Sequence, residues 1–123
     1  MQRVGFILTD DGRVGCSPDG LVGEDGGLEL KCPSPAKHVS YLLDEQELVD
    51  EYTHQVQGCL YVTGRAWWDL MSYYPGMEPV IVRVEPNAEY QKALGNALAT
   101  FLADLDAAKA KLGITDTVHA EAA

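Results

Sequence analysis

Asp19, Glu29 and Lys31 are side chains whose types and spacing could do chemistry together. Asp19 falls in Pro18-Asp19-Gly20, a turn-forming tripeptide, and Glu29 and Lys31 lie in the later stretch GLELKCP. There, apolar Leu28 and Leu30 alternate with polar Glu29 and Lys31, the period of a strand with two different faces, so the acid and the lysine point the same way. If a hairpin brings the turn beside the strand, two carboxylates and a backbone carbonyl converge. That donor set suits a hard cation such as Mg²⁺, which prefers oxygen ligands and keeps several waters. A lysine on the same face could orient or deprotonate one of those waters and steady the charge that develops on phosphorus. The chemistry indicated is hydrolysis of a phosphodiester. Taken singly, Pro-Asp-Gly is an ordinary turn and Glu-x-Lys an ordinary surface ion pair; together they weigh more.

The elements that must position these residues can be read from periodicity. VGFILTDDGRVGCSPDG gives two β-rich runs about Asp11-Gly12, a dipeptide favoured in hairpin turns, and GLELKCP gives a third strand. After Pro33 and Pro35 the pattern turns helical, with a short helix predicted near Ala36 to Leu43 and a longer one from about Leu48 to Val62, closed by Gly64. In the longer helix Val49, Tyr52, Val56, Cys59 and Leu60 share one stripe, and Thr53, Gln57 and Tyr61 make a separate row at i, i+4, i+8. RAWWDLMSYYPG and EPVIVRVEP read as two further strands, in which alternation sends one of Trp67 and Trp68 inward and the other outward. A last helix, about Ala88 to Leu112, repeats Leu94, Leu98, Phe101, Leu105 and Leu112 on one side. Strands, helices, strands and helix in that order suit an α/β or α+β domain, a mixed β-sheet flanked by helices. A core domain is expected over residues 1–112, with 113–123 a frayed, flexible tail.

Composition bounds the reading. The 123 residues, 46% apolar, support one small domain with a single core. No stretch approaches a membrane span and the start lacks an apolar secretory h-region, so a cytoplasmic location is expected. Cys16, Cys32 and Cys59 form neither an even set nor a CxxC pair, and read as reduced thiols rather than a disulfide framework or a zinc site. The net charge of −10, from 19 acidic and 9 basic residues, argues against the broad basic surface that unaided nucleic-acid binding requires. Part of that excess sits in DEQELVDE, Asp44 to Glu51, read as a solvated face rather than a metal cluster.

SPDG, then LELK followed by CP, then HQVQGCLYVTGR, resembles the PD-(D/E)xK nucleases with their restriction-endonuclease-like core, and within them the phage lambda exonuclease and YqaJ-like viral recombinase family. The likeness runs from about Gly15 to the end of the last helix. It implies that Asp19 and Glu29 are metal ligands, that the Leu30 carbonyl adds a third oxygen, and that Lys31 is the catalytic lysine. Gln57 and Tyr61 match a Q-x-x-x-Y element, in which the glutamine lies beside the lysine or the attacking water and the tyrosine approaches the DNA backbone. Ser17, Ser34, His54 and Gln55 are weaker candidates for DNA or phosphate contact.

The resemblance further implies a Mg²⁺-dependent (Mn²⁺ possible) 5′-to-3′ exonuclease on linear duplex DNA, a phage or prophage protein of a bacterial host. It implies a trimeric ring and work beside a single-strand annealing protein in recombination. Full-length members carry an N-terminal helical region that supplies a further acidic ligand and basic residues for the DNA end; this chain starts about where that region would finish. DNA binding by this piece alone is therefore expected to be weak and salt-sensitive. The alternative is a truncated, catalytically incomplete relic that keeps the fold as a binding or assembly module.

Overall fold

The computed structural model describes residues 1–114. Two short strands, β1 (Ile7–Leu8) and β2 (Gly15–Cys16), form an antiparallel hairpin around Asp11-Gly12, as the turn dipeptide predicts, with Gly12 at φ 71°. Thr9 and Asp11 tighten the turn by hydrogen-bonding each other and the Val14 and Arg13 amides.

The main sheet follows. β3 (Gly20–Val22) pairs antiparallel with β4 (Gly26–Lys31). The chain then leaves through three helices, α1 (Pro35–Leu43), α2 (Glu45–Glu51) and α3 (Thr53–Thr63). It returns as β5 (Trp67–Ser72), parallel to β4, and turns back as β6 (Val80–Val84), antiparallel to β5. The strand order is β3-β4-β5-β6, a mixed sheet with helices on it, the class expected. A last helix, α4 (Ala88–Leu112), is capped by Asn87 and closed by Gly113 at φ 71°. Of the tail expected over 113–123, residues 115–123 lie outside the described residues.

The core lies between sheet and helices, where Tyr41, Leu48, Val56, Leu60, Trp68 and Leu70 are almost wholly buried. Trp68 points into it and Trp67 to the opposite face, where the Arg83 guanidinium stacks 3.6 Å from its ring. Gly26 and Gly27 stand beside these two tryptophans in the β4–β5 register. A Cβ at Gly27 would lie 2.3 Å from the Trp68 ring, so the paired glycines make room for the paired indoles. His38 is fully buried, linked at 2.7 Å to the Ser72 hydroxyl and at 2.7 Å to the Glu78 carbonyl, and so ties α1 to the β5–β6 hairpin.

One expectation needs correction. The helix predicted from Leu48 to Val62 is two helices: the first starts at Glu45, capped by Asp44, and the break falls at Tyr52, whose φ of −112° and ψ of 17° leave the helical region. Thr53 supplies a reason, because its hydroxyl donates to the Val49 carbonyl at 2.7 Å, a back-bond that bends helices. The apolar side of α4 rests on α3 and leaves much of its length open, with Phe101 61% and Leu112 73% exposed.

Candidate active site

The β3–β4 register brings the turn acid to the strand acid. Gly20 stands opposite Leu28, so one step further along the ladder Asp19 faces Glu29. The Asp19 Oδ2 accepts the Leu30 N–H at 2.7 Å, which fixes its carboxylate at the strand edge. Lys31 turns its carbonyl to β5, where it accepts the Tyr73 N–H at 2.9 Å. Successive strand residues direct their amides to opposite edges, so the Leu30 carbonyl opens on the same edge as Asp19.

Glu29 and Lys31 point together toward α3, as the alternation requires. Glu29 is 3% exposed, and its Oε1 lies 3.6 Å from Lys31 Nζ. The side chain of Gln55 links the pair: its Nε2 donates to Glu29 Oε1 at 2.7 Å and its Oε1 accepts from Lys31 Nζ at 2.8 Å. Lys31 Nζ also sits 4.5 Å over the Tyr52 ring, which holds the ammonium by cation–π attraction. The kink at Tyr52 therefore lies next to the site, and the turn after it delivers Gln55.

Burial, reinforced by the Asp19 carboxylate and opposed by Lys31, pushes the Glu29 carboxyl up to about 7. The other Glu29 oxygen, Oε2, is buried without a hydrogen-bond partner. A buried orphan oxygen beside a second carboxylate is a poor resting arrangement for protein atoms alone and a good one for a cation. Two carboxylates and a strand carbonyl are hard oxygen donors, so the residues present fit Mg²⁺ or Mn²⁺. Among the described residues no group of three or more His, Cys, Asp or Glu side chains forms a metal cluster, so waters would fill the remaining positions.

The structure thus gathers Asp19, Glu29, Leu30, Lys31 and Gln55, and places the other candidates elsewhere. Gln57 does not lie beside Lys31. It is 4% exposed, donates to the Glu85 carbonyl at 3.0 Å, and accepts from the Asn87 N–H at 3.0 Å and Gln91 Nε2 at 2.9 Å. These bonds bracket α3 to the β6–α4 connection. Two residues along a helix are about 200° apart, so Gln55 and Gln57 cannot face one site. Tyr61, on the row of Gln57, lies against Gly95 of α4. Ser34 caps α1 by accepting from the Lys37 N–H, and Ser17 donates to the Gly5 carbonyl at 2.8 Å. His54 hydrogen-bonds the Tyr90 hydroxyl and lines a cavity with Gln55 and Ser17. The helical stripe assigns Tyr52 to the core and so hides its place at the site; its spacing of three from Gln55 is the available signal.

The family model of the YqaJ-like viral recombinase domain matches residues 1–66, the segment that contains all five gathered residues. The chain belongs to this family. The YqaJ-like chain is also similar to the crystal structure of an alkaline exonuclease (LHK-Exo) from Laribacter hongkongensis, with 30% identity and a TM-score of 0.78 over 99% of its own length. A second structure of that exonuclease, in complex with dAMP, matches with a TM-score of 0.77 at 30% identity. The YqaJ-like chain spans 63% of the length of this relative. No curated protein matches its sequence.

Proposed function

We propose that this chain is a metal-dependent deoxyribonuclease domain, an exonuclease that hydrolyses phosphodiester bonds of linear duplex DNA in the 5′-to-3′ direction. The observation that carries this reading is the buried Glu29, with its orphan Oε2, facing the Asp19 carboxylate and beside a lysine held by a glutamine. The similar exonuclease, one of whose structures contains dAMP, supports DNA as the substrate class.

Asp19, Glu29 and the Leu30 carbonyl would hold Mg²⁺, which when bound polarises the phosphate and lowers the pKa of a water. Lys31 stands where it can orient the attacking water and neutralise charge gathering on the phosphorane oxygens. Gln55 fixes Lys31 and Glu29 relative to each other, so that the ammonium neither collapses onto the carboxylate nor swings into solvent. Tyr52 limits the lysine from below.

The test is digestion of end-labelled linear duplex DNA with Mg²⁺. The chain should release mononucleotides, and Lys31→Ala should lower the rate by roughly 10²-fold or more, the scale for loss of one transition-state donor. Endonucleolytic fragments, or equal rates for parent and variant, would overturn the reading. A second reading, a fold that binds metal without turnover, is favoured by the presence of only two carboxylates at the site among the described residues. It predicts Mg²⁺ binding that Glu29→Gln removes, with no product from the parent chain.

A further inference from the structure

Two of the three cysteines meet across one cavity beside the site. Cys16 lies on β2, half-buried, and Cys59 on α3, in the core. Both line a cavity of about 410 Å³ whose wall also includes Ser17, His54 and Gln55. β2 rests against α3 along this line, with the two cysteines as neighbours on the cavity wall. Cys32 is exposed and lines a different cavity with Met1, Arg3 and Leu30.

We propose that Cys16 and Cys59 are a redox pair, which a peroxide small enough to enter the cavity converts to a disulfide tying β2 to α3. Thiols that line one cavity, on elements already packed together, can meet with a small local shift. The half-buried Cys16 is the one open to the oxidant. Its sulfur, after giving its proton to solvent, attacks one peroxide oxygen; the O–O bond breaks, and Cys16 becomes a sulfenic acid as hydroxide leaves and takes up a proton. The Cys59 sulfur then attacks the Cys16 sulfur, the S–O bond breaks, and the Cys59 proton joins the departing hydroxide as water. Two thiols are oxidised by two electrons, and one peroxide is reduced to two waters.

Burial raises the Cys16 thiol, an effect partly offset by the neighbouring Cys59 thiol. The reaction is thus a slow response to sustained oxidant, suited to a reducing compartment in which disulfides are transient. Its place matters: Cys16 is three residues before Asp19, and Cys59 is one helical turn after Gln55. The bridge would join the two segments that carry those side chains to Glu29 and Lys31.

The test needs no substrate and so stands apart from the nuclease reading. Trypsin places each cysteine on its own peptide, residues 14–31, 32–37 and 38–65. The native chain is treated with hydrogen peroxide, remaining thiols are alkylated, and the digest is weighed without reductant. Peptides 14–31 and 38–65 should appear joined, lighter by the two hydrogens lost, with Cys32 alkylated, and dithiothreitol should separate them. The joined species should vanish in Cys16→Ser, and the oxidised parent should melt several degrees higher, because the bridge closes a long loop in the unfolded chain. Sulfinic acid on Cys16 without a link, or links to Cys32 as frequent as those between Cys16 and Cys59, would overturn the proposal.

Discussion

Glu29 is the residue on which the site turns, because its carboxyl is buried, orphaned at one oxygen and faced by a second acid. Unfolded, it titrates near its ordinary 4.5; folded, near 7. Between those values the folded chain holds a proton that the unfolded chain has lost, so raising the pH through this window removes stability, on the order of 3 kcal/mol. In metal-free buffer the urea midpoint should therefore fall from about pH 5 to about pH 7 and level off above. Glu29→Gln imitates the protonated acid and should flatten that slope, leaving the variant more stable than its parent at alkaline pH. A midpoint that rises over the same interval would show that the carboxyl is not elevated. The two glutamines divide by the same reasoning. Gln55→Ala should lower nuclease turnover by about 10-fold or more, since it fixes Glu29 and Lys31 relative to each other. Gln57→Ala deprives the Glu85 carbonyl and the Asn87 N–H of their part-buried partner and leaves the Gln91 amide only its bond to the Gln57 backbone carbonyl, and should cost about 1–3 kcal/mol in denaturant unfolding.

Among the elements, those whose logic is local were legible in the sequence. Asp11-Gly12 specified a hairpin because a two-strand turn needs only its own residues, and GLELKCP specified a strand with an inward acid and lysine because alternation is a property of the strand alone. Where the outcome depends on a distant neighbour, the pattern misleads. Gln57 looks like a polar row exposed to substrate, yet it is buried because the β6–α4 connection needs both its donor and its acceptor. The break at Tyr52 is invisible to periodicity, since the apolar stripe runs on through it. Gly26-Gly27 and Trp67-Trp68 read separately as a weak strand and an aromatic strand; their pairing across a parallel ladder makes each explain the other. Gly27→Ala should accordingly destabilise the fold by several kcal/mol, more than an ordinary overpacking of about 1–3 kcal/mol, because the added carbon would overlap the buried indole of Trp68. A thermal melt within a degree or two of the parent would show that β4 and β5 can separate to accept it.

At the scale of the whole molecule, the chain carries the sheet, the crossover and five site residues within 63% of its relative's length, and it does so with an excess of ten negative charges. The parallel pairing of β4 with β5 imposes an order on events. Asp19 and Glu29 meet across a short hairpin that can close on its own, whereas Gln55 arrives only after residues 32–66 have swung over the sheet as a helical crossover. Early in folding, then, the two acids confront each other before the amide that steadies them is in place. Millimolar Mg²⁺ should therefore quicken refolding in stopped-flow experiments as well as retard unfolding, and Glu29→Gln should refold at a rate indifferent to the ion. The cation would act as a template for its own cradle, recruited while the crossover is still loose.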